Sequence, residues 1–321
     1  MKKLLQIFAF STMVMLMCSW GFFAHRQINR LAVFTVPAPL FGFYKANIEY
    51  LTEHAVDADK RRYSDEAEAC RHYLDADHYE QLPPIDTIPK YWKQAVEKYT
   101  EDTLKAYGIV PWHIHIMTFR LTEAFKQKDK RKILRLSADL GHYVADAHVP
   151  LHATENYNGQ LTGQTGIHGF WESRLPELFS SNYDFFTGKA HHIEDVQQAA
   201  WVAVNGSFAA VDSVLRLERE LSKQFPDDRK YAFEQKGNMT VRVYSKEYAA
   251  AYDRLMGDMV ERRMRASVIL VGSLWYTAWV NSGQPDLDKL EEKPTPEEEQ
   301  KLIAEQEKKF NSGKIIGRSE E

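Results

Sequence analysis

The sequence predicts an all-α fold, and three observations carry the prediction. Apolar residues recur at helical spacing, alternating strand patterns are nearly absent, and no repeat of twenty to fifty residues is visible. Ile133, Leu134, Leu136, Leu140, Tyr143 and Val144 mark one amphipathic helix. The stretch from Tyr248 through Met256, Met259 and Met264 to Trp279 is long enough for one extended core helix. Val241-Arg242-Val243-Tyr244 alone reads as a short extended piece. Loops are expected at Pro83-Pro84 and from Asn158-Gly159 to Gly166.

With 321 residues, 44% hydrophobic and 27% charged, the chain has room for one large domain or two small ones. A net charge of −4 excludes the global basic field of a general nucleic-acid binder. Two cysteines, Cys18 and Cys70, exclude a disulfide framework and a cysteine-ligated zinc site. Lys2 and Lys3 precede an apolar stretch from Leu4 to Cys18, the pattern of a secretory signal peptide over residues 1–19. Cleavage after Ser19 would leave Trp20 first, five positions before His25. A deprotonated terminal amine there chelates through its nitrogen and its own carbonyl. Residues 284–321 hold eleven acidic and seven basic residues with few apolar ones. They are expected to form a charged, disordered tail, partly helical around Glu297–Lys309 and outside any site. The domain proper then spans residues 20–283.

Twelve histidines are the residues to follow. His142 and Asp146 stand four apart, a spacing that places both on one helix face, and Pro150 stops the helix so that His152 can turn toward them. His168 and Glu172 repeat the spacing. Spacing alone decides little. About 1.7 such pairs are expected by chance from this composition, and three exist when His191 and Asp195 are counted. The assembly is more specific: Trp20 and His25, Asp57, His72, His142-x3-Asp146-x5-His152 with Pro150-Leu151, then His168-x3-Glu172.

This order and spacing resembles the zinc-dependent phospholipase C family and its sister, the single-strand-specific zinc nucleases, over most of residues 20–280. The resemblance implies an all-α domain with three zinc ions. Asp57, His72, His142 and Asp146 would hold one ion. His152, His168 and Glu172 would hold its close partner. Trp20 and His25 would hold the third, with Asp146 bridging to the first. Asp57 is preferred to Asp59 because its fifteen-residue gap to His72 fits the nuclease branch, and it is also the candidate general base. The implied activity is phosphoester hydrolysis by metal-activated water attacking phosphorus in line. Three zinc ions against three carboxylates would leave the site near +3, which suits an anionic substrate.

Several residues have plainer readings. His78 is a rival to His72, Asp75 and Asp77 are candidate orienting groups, and His148 is a supporting or partly exposed residue rather than a ligand. His113 and His115 lie on an apolar stretch and read as core or edge residues. His191 and His192 read as a solvated loop, and Arg61 and Arg62 as a surface charge run. Tyr73 either lines the cleft or packs inside.

The substrate is a phospholipid or a single-stranded nucleic acid, with at most peripheral membrane contact. The gap to His72 and the short step from Trp20 to His25 resemble the nucleases. Glu172 in the Phe170-Trp171-Glu172 context resembles the phospholipases. Ala58 and Ala69 stand where the choline-specific enzymes carry aromatics, so that cage is not expected. The expected protein is therefore a secreted or periplasmic phospholipase C-like hydrolase, with a single-strand-specific endonuclease or 3'-nucleotidase as the alternative and a non-catalytic zinc scaffold as the third.

Overall fold

The computed structural model describes residues 22–236, 239–313, 315, 316 and 318, so the expected leader and Trp20 lie outside the described residues. The described chain is mostly helical with one two-stranded antiparallel sheet, in agreement with an all-α class. In order, α1 is Phe22–Ala32, α2 Ala38–Ala46, α3 Ile48–Glu53 and α4 Asp57–Arg61. Next come α5 (Trp92–Tyr99), α6 (Glu101–Ala106), α7 (Val110–Lys126) and α8 (Lys130–Asp146). A 3-10 turn, Pro150–Ala153, leads through a loop to Ile167–Gly169 and a π-helical turn, Phe170–Arg174. Then follow α9 (Leu175–Phe179), α10 (Val196–Gln224), β1 (Tyr231–Lys236), β2 (Met239–Tyr244), α11 (Lys246–Met256), α12 (Met259–Asn281) and α13 (Glu297–Asn311).

The helix α8 is the centre of the molecule. Asp129 caps it by accepting the Lys132 amide at 3.0 Å. From Ser137 to Asp146 every residue is buried, because α1, α7 and α12 all pack on it. Tyr44 stacks on Trp275 at 4.6 Å, and both reach the same α8 residue. The Tyr44 hydroxyl meets Ser137 Oγ at 2.9 Å, and the Trp275 indole donates to Ser137 O at 3.0 Å. Trp112 packs edge-on against Trp201 at 5.1 Å, joining α7 to α10. Burial of each such ring contributes on the order of 2–3 kcal/mol. This rigid frame fixes the end of α8, from which the site is built.

One expectation is corrected, and two are met and extended. The apolar stretch from Tyr248 to Trp279 is two helices, because Gly257 takes φ 63° and breaks the chain between α11 and α12. The extended piece expected around Val241–Tyr244 is present, as part of one strand of a hairpin with Tyr231 opposite Tyr244. The helix expected around Glu297–Lys309 is present as Glu297–Asn311, and it packs on the domain. Glu299 of α13 pairs with Arg131 at 2.6 Å and Arg135 at 2.9 Å, and Phe310 packs edge-on to Tyr63 at 5.1 Å. Its charges find fixed partners on α8, and one aromatic anchors its end, which composition alone does not reveal. No helix of the described residues is long and apolar enough to cross a membrane.

Candidate metal centre

Five histidines and three carboxylates converge at the lower end of α8: His25, Asp59, His72, His142, Asp146, His152, His168 and Glu172. All are buried except Asp59, which is partly exposed. They come from separate elements: α1 brings His25, α4 Asp59, α8 His142 and Asp146, and the two turns His152 and Glu172. Close approach of α1 to α8 rests on Gly141, where an added Cβ would lie 1.8 Å from Asn29 Oδ1. That approach stacks the His25 ring on His142 with centroids 4.1 Å apart. Beyond α8, Pro150 opens the 3-10 turn, and His152 O accepts the Leu74 amide at 3.0 Å. The π turn then places Glu172 under His168, a local distortion often found at functional sites.

Two sets of donors form around the two i,i+4 pairs. In the first, Asp146 Oδ2 lies 3.0 Å from His72 Nδ1 and 3.2 Å from His142 Nε2. Asp59 Oδ1 closes it, 3.4 Å from His142 Nε2 and 3.7 Å from His72 Nδ1. In the second, Glu172 Oε2 is 2.8 Å from His168 Nε2 and 3.4 Å from His152 Nε2. His25 joins them: its Nε2 is 3.0 Å from Glu172 Oε1 and 3.5 Å from Asp146 Oδ1.

The tautomers show what this arrangement requires. His142 Nδ1 donates to Ala55 O at 2.9 Å, His152 Nδ1 to His72 O at 2.8 Å, and His168 Nδ1 to Tyr157 O at 3.2 Å. Each ring proton is thereby fixed on the outside, and each neutral ring points an Nε2 lone pair at carboxylate oxygens. Lone pairs facing anions in a buried site repel unless a proton or a metal cation lies between them. In the metal-free protein protons fill that role. Burial acts against the charged form of His142, but Asp146 and Asp59 outweigh it and hold its pKa well above the ordinary value. Burial likewise acts to raise Asp146 and Glu172, yet the surrounding histidines hold both well below the carboxylate range. His25 Nδ1 is buried with no hydrogen-bond partner among the described residues. Buried nitrogen and oxygen donors with outward-fixed ring protons could hold a metal ion.

Asp57 is not part of this cluster, which corrects the choice of Asp57 over Asp59. Its carboxylate accepts from His54 Nδ1 at 2.5 Å and Lys60 Nζ at 2.7 Å. Two residues along a helix is a rotation of about 200°, so Asp57 and Asp59 face opposite sides of α4. Its partners, His54 and Lys60, stand apart from the donors that converge, so Asp57 is not brought to them as the expected base. Trp20 lies outside the described residues. The other seven predicted ligands, His25, His72, His142, Asp146, His152, His168 and Glu172, meet together.

Glu68 was not anticipated. It is fully buried and faces His72 Nε2 at 3.5 Å, on the side away from the cluster. Arg61, Arg71 and the Tyr143 hydroxyl all donate to it. Arg61 is therefore an internal partner of Glu68 and Asp139 rather than part of a surface run. The i,i+4 spacing of Glu68 and His72 was the available signal. Asp75 and Asp77 do not orient His72: Asp75 pairs with Arg318, and Asp77 accepts from Thr154 and Glu155. His78 stacks on Tyr107 at 3.3 Å, away from the cluster. His113 and His148 are buried supports, and burial pushes both down to about 3. His191 and His192 are exposed.

Comparison with protein-family models and with curated proteins finds no match for the chain.

Proposed function

We propose that the chain is a zinc-dependent phosphoester hydrolase, phospholipase C-like, secreted or periplasmic by its leader pattern. The observation that carries the reading is the junction of the two donor sets. His25 reaches both Asp146 and Glu172, so the two donor sets are joined rather than isolated, and cations held by them would lie side by side. Paired cation sites of this kind suit a phosphate, whose oxygens bridge neighbouring positive charges. His72, His142, Asp146 and Asp59 would hold one ion, and His152, His168 and Glu172 the next. His25 stands at a third position, with Trp20 proposed as its companion. Zinc bound there supplies Lewis acidity and a water that ionises near neutral pH.

The protein's own residues do the rest. Outward hydrogen bonds to Ala55, His72 and Tyr157 carbonyls keep the three rings from turning, and Glu68 holds His72 from behind. Asp59, with 20% of its side chain exposed, is the cluster carboxylate open to solvent and the candidate proton acceptor. Its burial acts to raise its pKa, but His142, His25 and His72 hold it well below the ordinary value, so it is ionised at neutral pH.

Replacing Asp57 with Asp59 shortens the gap to His72 from fifteen residues to thirteen, which removes one of the spacings that resembled the nucleases. The phospholipase reading is retained, with the nuclease as an outcome of the test. Zinc-loaded protein should release a phosphorylated headgroup from phospholipid vesicles, and Asp59→Asn and His152→Ala should not. Release of 5'-nucleotides from single-stranded DNA or RNA, with no lipid cleavage, would transfer the assignment to the nuclease. No turnover on either class would leave a structural metal site.

A further inference from the structure

At the edge of the cluster, the described end of the C-terminal segment is inserted into the body of the protein. Arg318 lies between two tyrosines, its guanidinium carbon 4.2 Å from the Tyr73 ring centroid and 3.6 Å from that of Tyr157. Asp75 Oδ1 accepts from Nη1 at 2.6 Å, and the Thr154 carbonyl accepts from Nη2 at 3.1 Å, with Leu151 O at 3.5 Å. The side chains of Arg318 and Asp75 are each only 9% exposed. A surface tail that merely lies on the protein does not bury a guanidinium between two aromatic faces and a carboxylate.

The walls of this clamp are the segments that carry the metal-site histidines. Tyr73 follows His72, Leu151 and Thr154 flank His152, and the Tyr157 carbonyl holds the His168 ring. The clamp suits a planar cation, because two ring faces and a carboxylate acceptor are what a guanidinium takes. It also needs one: burial lifts Asp75 to about 6 even with Arg318 opposing the shift. Yet the fit is incomplete. Arg318 Nε is buried without a hydrogen-bond partner among the described residues, so the clamp they form satisfies the terminal amidine and not the whole side chain. The segment is otherwise pinned there by the Ile316 amide donating to Arg62 O at 3.0 Å and by Arg62 donating to Arg318 O.

We propose that Tyr73, Asp75 and Tyr157 form a guanidinium-binding subsite beside the metal centre, and that the C-terminal segment seats Arg318 in it as an intramolecular plug. An external organic cation displaces the plug. Neither the subsite nor the plug rests on the proposed function.

The test uses full-length wild type, Arg318→Ala, Arg318→Lys and the double variant Arg318→Ala/Tyr157→Leu, with methylguanidinium as the probe. Arg318→Ala should bind methylguanidinium at least about tenfold more tightly than wild type, and the double variant should lose that gain. Hydrogen exchange at the Ile316 amide should accelerate on the order of 100-fold in Arg318→Ala and by less in Arg318→Lys, which keeps the charge without the planar fork. Failure of Arg318→Ala to bind methylguanidinium, or unchanged exchange at Ile316, overturns the proposal. Neither readout needs zinc or turnover, so a protein that passes both but hydrolyses no phosphoester counts against the proposed function alone.

Discussion

Asp146 offers the sharpest single perturbation, because it contacts three histidines at once: His25 at 3.5 Å, His72 at 3.0 Å and His142 at 3.2 Å. Asp146→Asn keeps the shape and removes the charge shared by two of the donor sets. Zinc at one hundred times its dissociation constant stabilises a protein by about 2.7 kcal/mol. Loss of a shared carboxylate that weakens binding about 100-fold would reduce that increment to about 0.4 kcal/mol. At about 2.1 cal/mol/K per residue, roughly 300 residues give about 1.6 °C per kcal/mol, so the zinc-induced rise in melting temperature should shrink by about 4 °C. Thermal melts with and without zinc, after chelation, read this directly. Asp57→Asn is the matched control. Its carboxylate is 30% exposed and pairs with His54 and Lys60, so its zinc increment should remain at the wild-type value. An undiminished increment in Asp146→Asn, or its loss in Asp57→Asn, would refute the cluster as drawn.

Three further outcomes follow from the same geometry. The chelated protein should be most stable near pH 6.5. His142 is held above its ordinary pKa, so its contribution is complete below about 6.5 and fades as pH rises through the raised value. His113 and His148 are pushed down to about 3, so each contributes above pH 6.5 and loses about 1.4 kcal/mol per unit as pH falls below it. A urea series in chelator that rises steadily from pH 5.5 to 8 would contradict this. Glu68→Gln should cost about 3 kcal/mol in the same assay and weaken zinc binding about 10–100-fold, since two arginines lose a buried partner and His72 its support. Gly141→Ala should cost about 1–3 kcal/mol by driving Asn29, and with it α1, away from α8; an unaltered denaturation midpoint would show that His25 is placed by other contacts.

Much of the fold and most of the site were legible because they depend on local spacing. The period of α8 puts His142 above Asp146, and a proline four residues on turns the chain so that His152 returns. The i,i+4 pair His168 and Glu172 survives even though its second half is a π turn. What was not legible depends on orientation and on distant partners. Asp57 and Asp59 differ only in which side of a one-turn helix they face, and the chain gives no local sign of which side is inward. Glu68 has a role because Arg61, Arg71 and Tyr143 converge on it, and Tyr143 comes from a different element. A single glycine at 257 divides a run of otherwise continuous apolar spacing. The tail looks like a solvated charge run until Arg131, Arg135 and the Tyr73–Tyr157 clamp are known to wait for it.

The central claim is that these histidines and carboxylates are organised around metal cations. Anomalous diffraction across the zinc absorption edge, from crystals of protein reconstituted with zinc, tests it most directly. Peaks should fall among His72, His142, Asp146 and Asp59 and among His152, His168 and Glu172. A zinc-soaked crystal with no peak at either position, and rings still hydrogen-bonded to the carboxylates, would contradict it.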